Sequence, residues 1–218
     1  MTQNSTTQHP ATRHTVDNRL VAALAAPNAS TRLQAALAAG THADAGLVDT
    51  LTERCGVEPD FFVRDMLTWA LTRLPTEVTV ERLIVELGAP NPQARSQALH
   101  TLSKIGDRRA WAAITSSLMD DDNDEVARSA WRAAVALVPS GSEAALARTL
   151  TAQLGRGDID VQRSLSRALV ALGEAAVPAL ESVRAHAIAT ERLMLDPDTD
   201  FALEVESAKR VAALGDDA

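Results

Sequence analysis

Apolar residues recur every three or four positions in five successive stretches of the chain, and an arginine stands near the start of each stretch. In the second stretch the apolar positions include Met66, Ala70 and Leu74, which would share one face of a helix. A turn-like segment precedes each arginine, and another apolar helical segment lies upstream of that turn. The pattern therefore predicts a repeated unit of helix, short turn and second helix. The arginines, 31 to 35 residues apart, are Arg32, Arg64, Arg95, Arg128 and Arg163.

The turns contain residues that end one helix and begin the next. Asp and Asn side chains cap the first turn of a helix, and proline fits its first position, as at Asn91 and Pro92. Gly106, Gly141 and Gly173 follow second helices, where left-handed backbone is common. One helical pair cannot bury its apolar face alone, so successive pairs must stack. The periodicity therefore predicts an all-α fold, an α-solenoid.

Three of the turn-and-helix segments resemble the signature of HEAT repeats. They are Pro-Asp-Phe-Phe-Val-Arg-Asp-Met-Leu (59–67), Pro-Gln-Ala-Arg-Ser-Gln-Ala-Leu (92–99) and Asp-Glu-Val-Ala-Arg-Ser-Ala-Trp (124–131). The resemblance covers roughly residues 16–190, and it implies a right-handed α-solenoid of about five to six helical pairs. It also implies that the five repeated arginines are structural residues that support packing between repeats.

Both ends of the chain depart from the repeat. Residues 1–14 are polar and aperiodic, so we expect a disordered tail. One solenoid domain is expected over residues 15–214, with a shortened sixth unit after Gly173. Within it, residues 197–214 are predicted to form an acidic helix that caps the end of the stack, and residues 215–218 form a tail.

Composition and charge exclude several classes of protein. The single cysteine, Cys55, rules out a disulfide framework and a multi-cysteine zinc site. The net charge is -8, and residues 110–218 carry all of it, with 18 acids against 10 bases. This balance argues against general affinity for nucleic acid or for anionic membrane. The start of the chain lacks the apolar core of a signal peptide, so a cytoplasmic location is expected.

The sequence contains no pattern of a catalytic or metal site. It has no nucleophile elbow, phosphate loop or dinucleotide fingerprint, and its five histidines are scattered among different units. Two Asp-x-Asp-x-Asp segments, at 120–124 and 196–200, lack the glycine and glutamate that a calcium loop needs. We interpret them as acids that stabilise the start of the following helix. No cofactor and no metal are therefore predicted.

The candidate binding residues lie on the predicted second helices, which line the concave face in HEAT-like stacks. Asp65, Trp69 and Arg73 form one stripe away from the apolar stripe of their helix. An exposed tryptophan between charges is typical of a binding hot spot, although Trp69 could instead pack under a neighbouring unit or the N-terminal tail. Trp131 is predicted in the core. The equivalents in the next unit and just beyond it are His100, Lys104, Arg108 and Arg109.

Two further arginines, Arg132 and Arg167, occupy matching positions in the fourth and fifth units. With Arg128 and Arg163 they would make a basic ladder in the acidic half of the chain. The ladder suits either anion binding or pairing with turn carboxylates. The short sequence separations favour pairing with Asp124, Asp158 and Asp160.

These patterns favour a non-catalytic interaction module that holds a protein or peptide partner of unknown identity on its concave face. The alternative is an enzyme similar to HEAT-like alkylpurine DNA glycosylases, whose binding residues Asp65, Trp69, Trp131 and Arg132 would imitate without a motif-level match. The repeats are also similar to lyase-related HEAT-like proteins that attach or detach bilin pigments, but no pigment-specific residue can be named. The net charge of -8 disfavours the DNA alternative.

Overall fold

A computed structural model describes residues 18–195 and 200–214, and all regular secondary structure within these ranges is helical. Short 3-10 helices lie at Ala45–Leu47, Arg108–Ala113 and Gly173–Ala176. The α-helices are α1 (Asn18–Leu24), α2 (Ala29–His42), α3 (Val48–Val57), α4 (Phe61–Arg73), α5 (Thr76–Glu86), α6 (Pro92–Ile105), α7 (Ser116–Met119), α8 (Asp124–Leu137), α9 (Glu143–Thr151), α10 (Ile159–Ala171), α11 (Val177–Leu195) and α12 (Phe201–Leu214). The all-α helical-repeat fold is therefore confirmed.

The second helices of the repeats are α2, α4, α6, α8 and α10, and each begins at an Asn or Asp cap. The cap side chain accepts hydrogen bonds from backbone N–H groups of the first turn, which otherwise have no partner. At α4, for example, Asp60 accepts from Phe62 and Val63 at 2.9 and 3.1 Å. The expected capping role of the turn residues is thus confirmed. The five caps are Asn28, Asp60, Asn91, Asn123 and Asp158.

The turn glycines adopt the backbone that the sequence predicts. Gly106 ends α6 with φ of 75°, and its N–H closes the helix by donating to Leu102 O at 3.0 Å. Gly141 and Gly173 also have positive φ. A side chain is disfavoured in this region, so glycine allows the chain to turn sharply towards the next helix.

The described residues form two compact units, unit 1 up to Arg82 and unit 2 from Leu83 onward, with the boundary inside α5. In unit 1, α2 packs on α4 through small residues such as Ala36, Ala39 and Ala70, all fully buried. Alanine at these positions allows two helices to approach closely, while leucines such as Leu51 and Leu67 fill the space beside them. Unit 1 is therefore stabilised by an Ala/Leu core.

In unit 2, α6 packs on α8, α8 packs on α10, and α11 packs on α12. The α8 helix lies at the centre of this core. Its Ala130, Ala133 and Ala134 are fully buried. Trp131 is also fully buried, and its indole N–H donates to Met119 O at 3.0 Å. The core position predicted for Trp131 is therefore confirmed.

Unit 2 departs from the regular repeat in two places. The first helix expected upstream of the fourth turn is reduced to the four residues of α7, preceded by a 3-10 helix. The Ile-Thr-Ser-Ser sequence explains this, since β-branched residues and serines favour the helix interior weakly. After Gly173 the shortened unit forms one continuous helix, α11, of 19 residues.

The predicted boundaries at the chain ends are only partly within the described residues. The acidic helix predicted over 197–214 is α12, which Asp200 caps by accepting from Ala202 N–H at 2.9 Å. Residues 197–199, the N-terminal segment 1–14 and the tail 215–218 lie outside the described residues. The capping role of α12 and the single domain over 15–214 stay predictions.

Candidate functional site

The five second helices can be compared by counting residues from the cap at which each begins. Nine positions after the cap, at position +9, stand residues that face away from the apolar core. Those of unit 1 are apolar and those of unit 2 are basic or histidine. The +9 residues are Leu37, Trp69, His100, Arg132 and Arg167.

Trp69 is both packed and exposed. One edge of its ring lies against Gly40 of α2, so closely that a Cβ at residue 40 would overlap the ring. The residue still has 38% of its surface exposed. The sequence left two alternatives for Trp69, an exposed hot-spot residue or a residue packed under a neighbour. Each alternative describes part of the side chain. Trp69 is held in place by its neighbour and still presents an aromatic surface.

Two exposed charges flank Trp69 on α4 and complete the predicted stripe. Asp65 is one turn before the tryptophan and Arg73 is one turn after it. Among the described residues neither forms an ion pair. On α2, Leu37 holds the matching +9 position and is 39% exposed. We call Leu37, Asp65, Trp69 and Arg73 the Trp69 face.

The equivalent surface of unit 2 is basic. Arg132 on α8 lies 3.4 Å from His100 on α6, measured from Nη1 to Nδ1, so the +9 side chains of adjacent helices touch. Lys104 lies one turn after His100 and is exposed, and Arg167 is exposed at the +9 position of α10. We call His100, Lys104, Arg132 and Arg167 the basic strip.

The sequence predicted that turn carboxylates pair with the basic ladder, and they pair with only part of it. The ladder consists of Arg128, Arg132, Arg163 and Arg167. Arg163 pairs with Asp160 at 2.7 Å, as predicted, and Arg128 pairs with Glu125 at 3.3 Å. Arg132 and Arg167 form no ion pair among the described residues, which corrects the expected pairing. Nine residues of helix place them about 13 Å from the cap, beyond the reach of carboxylates in the turn.

Two of the predicted binding residues lie off the second helices. Arg108 and Arg109 belong to the 3-10 helix that follows α6. Arg109 donates to Asp107 at 2.7 Å, and this hydrogen bond lowers the pKa of the Asp107 carboxyl. The structure therefore places this arginine in a local turn interaction, separate from the basic strip.

The first three repeated arginines fasten the turn that precedes their own helix. Arg32 Nη1 donates to the carbonyls of Ala26 and Pro27 at 3.0 and 2.9 Å. Arg64 and Arg95 donate to the carbonyls five and six residues before them in the same way. Since a turn leaves these carbonyls without helical partners, the guanidinium replaces the missing bonds. We call this arrangement the turn clamp.

Two of these arginines also bind a carboxylate 26 residues further along the chain. In unit 1, Arg32 donates to Glu58 through Nε and Nη2 at 2.7 and 2.6 Å. In unit 2, Arg95 forms the corresponding pair with Asp121 at 2.8 Å. For Arg64 the residue at this spacing is Pro90, which has no carboxylate. The paired arginines thus join one turn to the next.

Glu58 is the one charged side chain among the described residues with no solvent exposure, and no pattern in the sequence singles it out. Arg54 Nη2 donates to its carboxylate at 2.6 Å, and Asp60 N–H donates at 3.0 Å. Burial alone would raise the pKa of the Glu58 carboxyl, but the hydrogen bonds from Arg32, Asp60 and Arg54 outweigh it and lower the pKa to about 2. The group is therefore ionised inside unit 1.

Repeats four and five fasten their turns with other residues, because Arg128 and Arg163 stand at position +5 and not at +4. At +4 the fifth repeat has Gln162, whose side-chain amide donates to Gly157 O at 3.1 Å. The fourth has Ala127, and Arg156 of the next turn donates instead to Asp121 O, the matching carbonyl. Arg156 also pairs with Asp124 at 3.0 Å. Alignment on the cap residues, in place of the arginines, shows the shift of Arg128 and Arg163 and puts Gln162 at +4, whereas only the contacts assign Arg156 to this turn.

The residues proposed to imitate a DNA glycosylase do not share one surface. Trp131 is fully buried, whereas Arg132 next to it is exposed. Among residues 18–195 and 200–214 no group of three or more His, Cys, Asp or Glu side chains is arranged to hold a metal ion. In the same ranges, no helix combines the length and apolar character needed to cross a bilayer.

Comparison with known proteins identifies the repeat. An engineered protein of known crystal structure is 21% identical, with a TM-score of 0.48, and the match covers 90% of this chain and 96% of that one. The complex of CpcE and CpcF of phycocyanin lyase from Nostoc sp. is 20% identical, with a TM-score of 0.39, and covers 96% and 100%. No curated protein matches the sequence. Residues 63–136, about a third of the chain, match the family model for HEAT repeats, which confirms the resemblance seen in the sequence.

Proposed function

We propose that the protein is a non-catalytic interaction module that binds a protein or peptide partner on the surface of its second helices. The observation that carries this proposal is the state of Trp69, whose ring edge packs against Gly40 while 38% of the residue stays exposed. A rigid aromatic side chain loses little conformational entropy on binding, so most of its contact energy is available to the complex.

The charges beside Trp69 suit a binding surface. Asp65 and Arg73 lie on either side of the ring and are not engaged with each other or with neighbours in the described part of unit 1. Unpaired charges around an apolar contact fix the orientation of a partner and exclude partners of the wrong charge pattern. The Trp69 face thus has the composition of a small hot spot with a polar rim.

Affinity capture with purified protein tests this proposal. Proteins retained from the source cells by the immobilised wild type would be identified and measured against Trp69→Ala and Phe62→Ala variants. Phe62 is the matched control, since it is an exposed aromatic residue on the same helix but outside the Trp69 face. A hot-spot tryptophan contributes about 2 kcal/mol or more, so capture of the specific partner should fall more than about tenfold in Trp69→Ala alone.

Two outcomes would refute the proposal. One is a partner whose capture survives Trp69→Ala combined with Arg73→Glu. The other is excision of alkylated bases from duplex DNA by the purified protein, measured beside the capture experiment, since that would make the protein an enzyme. Equal losses in Trp69→Ala and Phe62→Ala would also place the contact elsewhere on α4.

A further inference from the structure

Among the described residues of unit 2, some cationic side chains pair with a carboxylate and others do not. Arg95, Arg128, Arg156 and Arg163 each pair with an acid in the described residues. Lys104, Arg132 and Arg167 pair with none there, although acids outnumber bases 18 to 10 in residues 110–218. In a strongly acidic chain, three unpaired cations on the same set of helices make a local positive surface.

We propose that the basic strip binds an acidic segment of a partner polypeptide. This inference rests on the proposed function, because it assigns a partner chemistry to the second-helix surface of unit 2. Opposite charge attracts such a segment to Lys104, Arg132 and Arg167, while the acids on the rest of the protein repel it from other surfaces. The charge pattern therefore sets both the place and the orientation of binding.

The spacing of the strip suits an extended peptide. Packed helices lie about 8–10 Å apart, so the three helices that carry the +9 residues of unit 2 present cations over roughly 20 Å. An extended chain rises about 3.3 Å per residue and points alternate side chains to one side. About six to eight residues therefore cross α6, α8 and α10, and every second carboxylate can face a cation.

When a carboxylate of the partner binds Lys104, Arg132 or Arg167, no ion pair among the described residues has to break. Arg132 lies 3.4 Å from a histidine ring and not from an acid, so no ion pair must break before a carboxylate binds. The two carboxylates nearest in sequence on these helices, Glu125 and Asp160, are already engaged by Arg128 and Arg163. A polypeptide partner is favoured over nucleic acid, because the net charge of -8 opposes a long polyanion.

Fluorescence polarisation with a labelled peptide of eight glutamates measures this binding directly. The full chain is titrated at low and at moderate salt, as wild type, as Arg132→Glu with Arg167→Glu, and as Arg148→Glu with Arg184→Glu. The last variant is the matched control, since it makes the same change in net charge at exposed arginines of α9 and α11. We expect binding that weakens with salt, a loss of at least about tenfold in the strip variant and less than about threefold in the control.

The remaining outcomes are decisive as well. Equal losses in the two double variants, or no binding of the peptide by wild type, would overturn the proposal. An oligonucleotide of eight thymidylates that binds as tightly, with the same sensitivity to the strip variant, would also overturn it in favour of a nucleic-acid site. Arg132→Lys with Arg167→Lys should keep most of the wild-type affinity for the peptide, because it keeps the positive charge. Circular dichroism checks that each variant folds.

Trp69→Ala separates this inference from the proposed function. It should leave binding of the glutamate peptide unchanged, because Trp69 belongs to unit 1 and the strip to unit 2. Failure of the peptide to bind, together with Trp69-dependent capture of a partner, would refute the acidic-segment inference alone. Peptide binding that persists while Trp69→Ala has no effect on capture would refute the Trp69 face alone.

Discussion

Units 1 and 2 use the same helical register for different contacts. At position +9, unit 1 carries Leu37 and Trp69, whereas unit 2 carries His100, Arg132 and Arg167. In both units most of the residues that face inward are alanine and leucine. The comparison shows that the inward positions specify how helices pack, and that the outward positions are free to specify which surface the unit presents.

The ion pairs that join successive turns differ in the same two units. The Arg32–Glu58 pair is buried and has a second arginine, Arg54, on the same carboxylate. The Arg95–Asp121 pair is partly exposed, with about one-seventh of each side chain accessible. The same connection should therefore contribute more to stability in unit 1, where losing one partner leaves a buried charge.

Glu58→Gln should have the largest effect among the variants that test this difference. It leaves Arg32 and Arg54 directed at a neutral group inside unit 1, and we expect a loss of about 3–5 kcal/mol in the free energy of unfolding. Asp121→Asn in unit 2 should cost about 1 kcal/mol. Urea denaturation measures both losses, and amide hydrogen exchange assigns each to its unit. Equal losses would show that burial of the pair has no energetic consequence.

Gly40→Ala tests the packing of Trp69 against α2, and the equivalent position of unit 2 provides the control. A Cβ at residue 40 meets the Trp69 ring and the backbone of Ala70, so the helices must separate, at a cost of about 1–3 kcal/mol. The equivalent residue of α6 in unit 2 is Ser103, which is half-buried, and Ser103→Ala should change stability by less than about 0.5 kcal/mol. Thermal unfolding measures both. A neutral Gly40→Ala would mean that Trp69 is not held by this contact.

Arg156→Ala tests the substitute turn fastening of unit 2. The variant loses the pair with Asp124, the bond to Asp121 O and the stacking of the guanidinium over the Trp131 ring at 5.9 Å. We expect a loss of about 1–2 kcal/mol in urea denaturation. Arg163→Ala, which removes a single exposed pair with Asp160, should cost less than about 0.5 kcal/mol. The reverse order of the two losses would contradict this account of the turn.

Lowering the pH should reduce the stability of unit 1, because Glu58 is buried there as a carboxylate. Glu58 has a pKa of about 2 in the folded chain and about 4.5 when unfolded, so its contribution is complete above pH 4.5 and declines as the pH falls towards 2. The slope reaches at most about 1.4 kcal/mol for each pH unit. Hydrogen exchange in unit 1 at pH 5 and pH 3 measures it. The Glu58→Gln variant should show a smaller change over that interval, and an equal change would assign the effect to other carboxyls.

The sequence was sufficient for the helices and their caps because those depend on local chemistry. Asp60, Asn91 and Gly106 act on the backbone within a few residues, so their roles follow from neighbouring positions alone. The exposed stripe on α4 was predictable for the same reason, since helical periodicity places Asp65, Trp69 and Arg73 on one side.

The sequence was not sufficient for the contacts between repeats, which depend on register and on distant residues. Glu58 looks like an ordinary surface acid until Arg32 is placed 26 residues away from it in sequence and 2.6 Å away in space. The shift of Arg128 by one residue from the cap was hidden, because the spacing of arginines suggested equivalence. A change of one residue rotates a side chain by about 100° around a helix, which is enough to change its partner.

The turn clamp has a consequence for how such repeats can be exchanged or duplicated. A repeat that carries its own arginine, as at Arg32, Arg64 and Arg95, brings its turn fastening with it when it is moved to a new place in the array. In the fourth repeat the corresponding hydrogen bond comes from Arg156 of the next turn. To keep this bond, the fourth repeat must be moved together with the repeat that follows. Repeats one to three therefore each carry their own turn clamp, whereas repeats four and five share one and would be moved as a pair.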